Sequence, residues 1–185
     1  MTTYRPTRAE IDLSAIRHNF FQIKKMTASS VKTLVAVKAN AYGHGLTEIS
    51  KELADCGVDY FGVGTVDEAI KLIKASLGIP ILNLTSITKD EIEPVLDYKV
   101  IQTVPDVNSA KAINRIAAKK GVKARVHLKI DTGMGRLGTW HDEATDFIKQ
   151  SFELKHLIVD GIFTHFASAD KDSIFTNQQT KNFLS

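Results

Sequence analysis

Six short apolar runs recur along the 185-residue chain, and each is followed by a stretch with helical spacing. The runs are 33–38 (TLVAVK), 61–65 (FGVGT), 79–84 (IPILNL), 100–104 (VIQTV), 124–130 (ARVHLKI) and 158–166 (IVDGIFTHF). Repeated strand–helix units place parallel strands side by side, with the helices crossing outside them. No GxGxxG follows the first run, so the dinucleotide-binding version of such a fold is not supported. The alternative is an α/β (β/α)8 TIM-type barrel, which takes about 250 residues and eight strands. The series here reaches six, so the expected fold is such a barrel truncated after about six strands. A complete small domain is the other reading, but no closing element supports it.

The helical stretches carry their own punctuation. Residues 46–56 place Ile49, Leu53 and Cys56 on one face and stop at Gly57. Thr65 with Glu68, and Thr88 with Glu91, match the capping-box pattern. Pro94 falls inside the helix expected after Thr88, where proline removes a donor. Residues 108–121 and 142–152 are further helices, and another starts at Thr176. Near the N-terminus, Ala9 to Leu13 is expected as a separate short strand. Ser14 then caps a helix carrying Ile16, Phe20 and Ile23.

Composition narrows the functional classes. The chain is 43% hydrophobic and 24% charged, an ordinary globular profile. Its 24 Lys and Arg against 21 Asp and Glu leave a net charge of +3. That is too small and too scattered to suggest a nucleic-acid or membrane partner. Cys56 is the only cysteine, which rules out an internal disulfide and suits a reducing compartment. It reads as a small core residue rather than a reactive thiol. The opening MTTYRPTRAE has no apolar signal-peptide core, and no apolar run approaches the ~20 residues of a membrane span. A cytoplasmic protein is expected.

Strand periodicity sorts the side chains of each run. In ARVHLKI, Val126, Leu128 and Ile130 share one face, suited to packing under helices. Arg125, His127 and Lys129 share the other, which would line the barrel interior. Three basic residues are unusual core filling, so an exposed edge strand is the alternative. Lys38 falls on the face of Leu34 and Ala36, and His165 on that of Phe163 and Gly161. Lys38, Lys129 and His165 thus stand at the C-terminal ends of three strands, where such barrels carry their active sites. A lysine there either snorkels to water or acts as a nucleophile.

Three segments decide between those readings. AVKANAYGHG (36–45) strongly resembles the pyridoxal-phosphate lysine motif of bacterial alanine racemases. HLKIDTGMGRLG (127–138) matches a second motif of that family, and GIFTHFASAD (161–170) a third. AEIDLSAIRHNF (9–20) fits the family's opening, so the resemblance covers nearly the whole chain in order.

The resemblance implies a function and a site. Residues 1–185 would be the N-terminal part of the pyridoxal-phosphate-binding barrel domain, without the family's C-terminal β domain. The implied reaction is the interconversion of L-alanine and D-alanine, supplying D-alanine for peptidoglycan. Lys38 would be catalytic: its amine condenses with the cofactor aldehyde and then serves as the base for D-alanine. Tyr42 would bind the cofactor phosphate. Arg136 would face the cofactor's phenolic oxygen and the substrate carboxylate, both suited to a planar fork. Leu84 and His165 would line the cofactor ring. Lys129 would be carbamylated, giving Arg136 an anionic partner. Asn40 and His44 are expected to make structural hydrogen bonds around the lysine turn. The implied enzyme is a homodimer whose partner subunit supplies a tyrosine as the opposite base, and no metal is implied. The 185-residue chain alone is expected to be inactive. A pyridoxal-phosphate homeostasis protein on the same barrel is the alternative; such proteins do not usually carry KANAYGHG or DTGMGRLG.

Overall fold

The computed structural model describes residues 7–185, so the first six positions, part of the segment in which a leader peptide was sought, lie outside the described residues. Helix α1 (Leu13–Met26) leads into β1 (Leu34–Ala36) and a short turn, α2 (Lys38–Tyr42). Then follow α3 (Leu46–Asp55), β2 (Tyr60–Val63), α4 (Val66–Lys74), β3 (Ile81–Asn83) and α5 (Ile92–Asp97). The second half holds β4 (Ile101–Val104), α6 (Val107–Lys120), β5 (Ala124–Asp131), β6 (Thr139–Trp140), α7 (Ala144–Phe152), β7 (Leu157–Phe163) and α8 (Ser173–Leu184).

Every strand pairing is parallel. Strands β1 to β5 lie side by side in chain order, and β7 pairs with β5. Chain-order parallel pairing with helical crossovers is barrel topology. The six expected runs are therefore the six main strands. The two-residue β6 was not foreseen; it pairs Thr139 with Ile130 and Trp140 with Asp131 as the chain leaves the loop after β5. The edge-strand alternative for ARVHLKI fails, because β5 is flanked by β4 and β7.

The core lies between sheet and helices. Val126 and Leu128 are fully buried and Ile130 nearly so, beside Ile113 and Ala117 of α6 and Phe147 of α7. A second cluster joins Phe20 of α1, Leu46, Ile49 and Leu53 of α3, Phe61 and Val63 of β2, and Leu72 of α4. No helix of the described residues is long and apolar enough to cross a membrane.

Several local expectations are corrected. Ala9 to Asp12 form no strand, and Leu13 already belongs to α1. The carboxylate of Asp12 caps that helix, accepting the Ser14 and Ala15 amides at 2.8 and 3.2 Å. Ser14 is not the cap, for its hydroxyl donates to the same carboxylate. Thr65 caps α4 through the Glu68 amide, but the Glu68 side chain does not return to Thr65 and turns elsewhere. At Thr88 and Glu91 the full capping box forms. Pro94 is accommodated because it sits in the first turn of α5, where its missing N–H has no helical partner to lose.

The turn α2 departs most from ordinary geometry. Ala39, Asn40, Ala41 and Tyr42 all have φ between +52° and +55°, four L-residues in succession in the left-handed region. Each costs roughly 1–2 kcal/mol there, so the turn persists only because its surroundings hold it.

Candidate active site

The C-terminal ends of β1, β3, β5 and β7 open on one cavity of about 490 Å³. Its lining includes Lys38, Tyr42, Leu84, Lys129, Arg136 and His165, which are the six side chains singled out from the sequence. None of these lies within a helical crossover, and each is delivered by a strand or by the segment that follows one. Lys38 opens the α2 turn just after β1, Leu84 follows β3, and Lys129 belongs to β5. His165 lies beyond the end of β7 rather than inside the expected strand 158–166.

Lys129 is nearly buried, with 6% of its surface exposed. Its Nζ sits 4.4 Å from the ring centroid of Phe163. Burial pushes its pKa down to about 8; nearby Asp131 opposes the shift and Arg136 adds to it. His165 is also held below its ordinary value, first by burial and then by the charges of Lys129, Arg136 and Lys38. Three cations therefore act on one point. Among the described residues none of the three is paired with a carboxylate in a salt bridge. Such a site favours an anionic ligand.

Arg136 is carried by a loop wound around Asp131. The Asp131 carboxylate accepts the amides of Gly133, Gly135 and Arg136 at 2.9 to 3.1 Å. Gly133 and Gly135 take φ of +139° and +70°, which L side chains rarely adopt. Burial alone would raise the Asp131 pKa, but the loop amides outweigh it and hold the carboxyl below its usual range.

Asn40 and His44 make the structural bonds expected of them. Asn40 Oδ1 accepts the Leu46 amide at 2.9 Å, and His44 Nδ1 lies 3.0 Å from the Ala41 carbonyl oxygen.

The chain matches the family model for the alanine racemase N-terminal domain over residues 11–185. The chain belongs to the alanine racemase N-terminal domain family. It is 41% identical over 180 residues to the alanine racemase of Halothermothrix orenii, covering 97% of this chain and 48% of that relative. It is 42% identical over 181 residues to the alanine racemase of Desulforamulus reducens, covering 97% and 49% respectively. The alanine racemase of Clostridium difficile 630, solved in complex with cycloserine, superposes with a TM-score of 0.94 at 37% identity. That match covers 99% of this chain and 51% of the other. The chain thus spans about half the length of the curated alanine racemases it matches.

Several residues that bond the segments around this cavity together were missed from the sequence. Asp131 lies within a quoted motif, and its D-x-G spacing is the signal that an aspartate turn would leave. Glu68 was read only as a capping residue. Gln179 of α8 gave no signal at all, yet it is fully buried. Its amide donates to Thr132 Oγ1 and to the His165 carbonyl at 3.1 Å, and its oxygen accepts the Ala167 amide at 2.9 Å. It ties the loop after β5 to the loop after β7.

Proposed function

We propose that this chain is the N-terminal barrel portion, residues 1–185, of a pyridoxal-phosphate-dependent racemase that interconverts L- and D-alanine. The observation that carries the reading is the convergence of Lys38, Arg136, Lys129, His165 and Tyr42 on one cavity at the strand ends.

The residues present suit the cofactor. The amine of Lys38, the guanidinium of Arg136 and the phenol of Tyr42 would suit the cofactor's aldehyde, phenolic oxygen and phosphate. The positive charges of Arg136 and Lys38 beside His165 suit the cofactor's negative charge. A Cβ on Gly62 would lie 2.8 Å from Leu34 and from Leu84, so the glycine leaves those side chains room on the inner face. When bound, pyridoxal phosphate supplies an aldehyde that takes up an amine and a ring that draws electrons from the α-carbon.

The chain's own residues then have distinct tasks. Lys38 Nζ holds the cofactor and moves the α-proton on one face. Arg136 binds the substrate carboxylate as a planar fork and fixes which bond at the α-carbon faces Lys38. Tyr42 would hold the phosphate, and Leu84 and His165 would line the ring's side of the cavity. Lys129, carbamylated, neutralises and orients Arg136. A base on one face cannot deliver a proton to the other, so a second base is needed; by the family resemblance it is a tyrosine supplied by the partner subunit of a homodimer. A cytoplasmic location and a supply of D-alanine to the cell wall accompany this reading.

The test is to add pyridoxal phosphate, reduce with borohydride and map the modified peptide. Lys38 is expected to carry the adduct, and Lys38→Ala to remove it. An adduct at Lys51 or Lys71 in place of Lys38 in the wild-type chain would overturn the assignment. D-alanine formation from L-alanine, measured on the full-length enzyme, separates a racemase from a cofactor carrier.

A further inference from the structure

Glu68 stands at the third position of α4, and its side chain has no part in the catalytic or binding roles given above. Its own amide is fixed to Thr65 Oγ1 at 3.2 Å. Its carboxylate leaves the helix and bridges two strand ends. Oε1 accepts the Asn40 amide at 3.0 Å, just beyond β1, and Oε2 accepts the Gly64 amide at 3.0 Å, just beyond β2.

Both contacts bear on Lys38. Asn40 is the second residue of the left-handed run that follows the lysine. Its side chain is already committed to the first amide of α3. Gly64 lies against the lysine stem: a Cβ there would sit 3.3 Å from Lys38 Cβ and 3.6 Å from Glu68 Oε2. Carboxylate, Gly64 backbone and lysine stem form one contiguous group beside the cavity.

We propose that Glu68 is a positioning residue for Lys38, pinning the left-handed turn that aims the amine into the cavity. This rests on the reading of Lys38 as the cofactor-bearing lysine. A carboxylate suits the task because each oxygen accepts one amide with the strength of a charged acceptor. A glutamine retains one acceptor and turns its NH2 toward the second amide. An alanine retains none.

The test compares wild type, Glu68→Gln and Glu68→Ala by two measurements. The first is the rate of borohydride-trapped pyridoxal-phosphate labelling at Lys38, with exposed Lys51 as internal reference. Glu68→Ala is expected to slow Lys38 labelling about tenfold or more, a loss typical of a misplaced reactive group, with Lys51 unchanged. Glu68→Gln falls between. The second is amide hydrogen exchange over residues 38–46 and at Gly64, where protection should fall together in the Ala variant. Unchanged Lys38 labelling, or amides that stay protected, would overturn the proposal. If wild type is not labelled at Lys38, the cofactor reading fails, and exchange then decides the clamp alone. If Glu68→Ala does not fold, the same two measurements on Glu68→Gln decide it.

Discussion

Asp131 Oδ2 accepts the backbone amide of Arg136 at 3.1 Å, so the residue that ends β5 holds the loop that carries the guanidinium. The other carboxylate oxygen takes Gly133 and Gly135. One buried side chain therefore does for this loop what a strand partner does for a strand.

Replacing Asp131 with Ala strips three loop amides of their acceptor. The expected cost is about 2–3 kcal/mol, in the range for unsatisfied buried donors and charged acceptors. Urea unfolding measures it. The sign of the pH effect follows from the lowered pKa. Stability from Asp131 is fully present above its unfolded pKa, the ordinary 3.8, and is lost as pH falls through the lower folded value. Asp131→Asn should lack that share of the acid slope. A variant with the wild-type slope would show that the loop amides are satisfied elsewhere.

Lys129, with a pKa of about 8 against the ordinary 10.5, should react as a neutral amine at far lower pH than a surface lysine. Its acetylation by trace acetic anhydride, which takes only the neutral amine, should rise as pH climbs through about 8 and level off above it. Peptide mapping across a pH series reads this directly. A profile still rising toward 10.5 would refute the depressed value. In the assembled racemase, Lys129→Ala should lose activity that short carboxylic acids partly restore, since they replace the proposed carbamate beside Arg136.

Gly161 of β7 faces His127 of β5 across the inner side of the sheet. A Cβ at Gly161 would lie 2.8 Å from the His127 Cε1 and 3.0 Å from both ring nitrogens. Gly161→Ala should therefore destabilise by about 1–3 kcal/mol through overpacking. Adding His127→Ala should remove most of that cost, because the two sites share one volume. Thermal unfolding of the four-member cycle tests it; additive effects would place the strain elsewhere.

How much of this was readable beforehand depended on the range of the interaction. The six main strands and the helices between them were legible because their signals are local: apolar alternation, helical spacing, caps such as Thr88 with Glu91. The cavity-lining residues were legible because they sit in contiguous motifs at strand ends. The N-terminal strand was misread because Ala9–Asp12 has strand-like residues but no neighbouring strand to accept its hydrogen bonds. The cap was misplaced because Asp12 and Ser14 are both good caps, and only geometry decides which reaches the free amides.

The sequence by itself determined the alternation of strand and helix, the inward placement of Lys38, Lys129 and His165, and the residue types that make an anion-binding, amine-bearing site. The tertiary structure decided what no periodicity encodes. Glu68 is 28 positions from Asn40, and Gln179 is 47 from Thr132; a helical pattern marks both only as polar. Their partners are backbone and hydroxyl groups on other elements, brought within reach by strand pairing. The pKa of Lys129 is likewise a property of burial and neighbouring charge. A side chain's chemistry is written in its residue type, but its solvent and its partners exist only once the sheet has assembled around it.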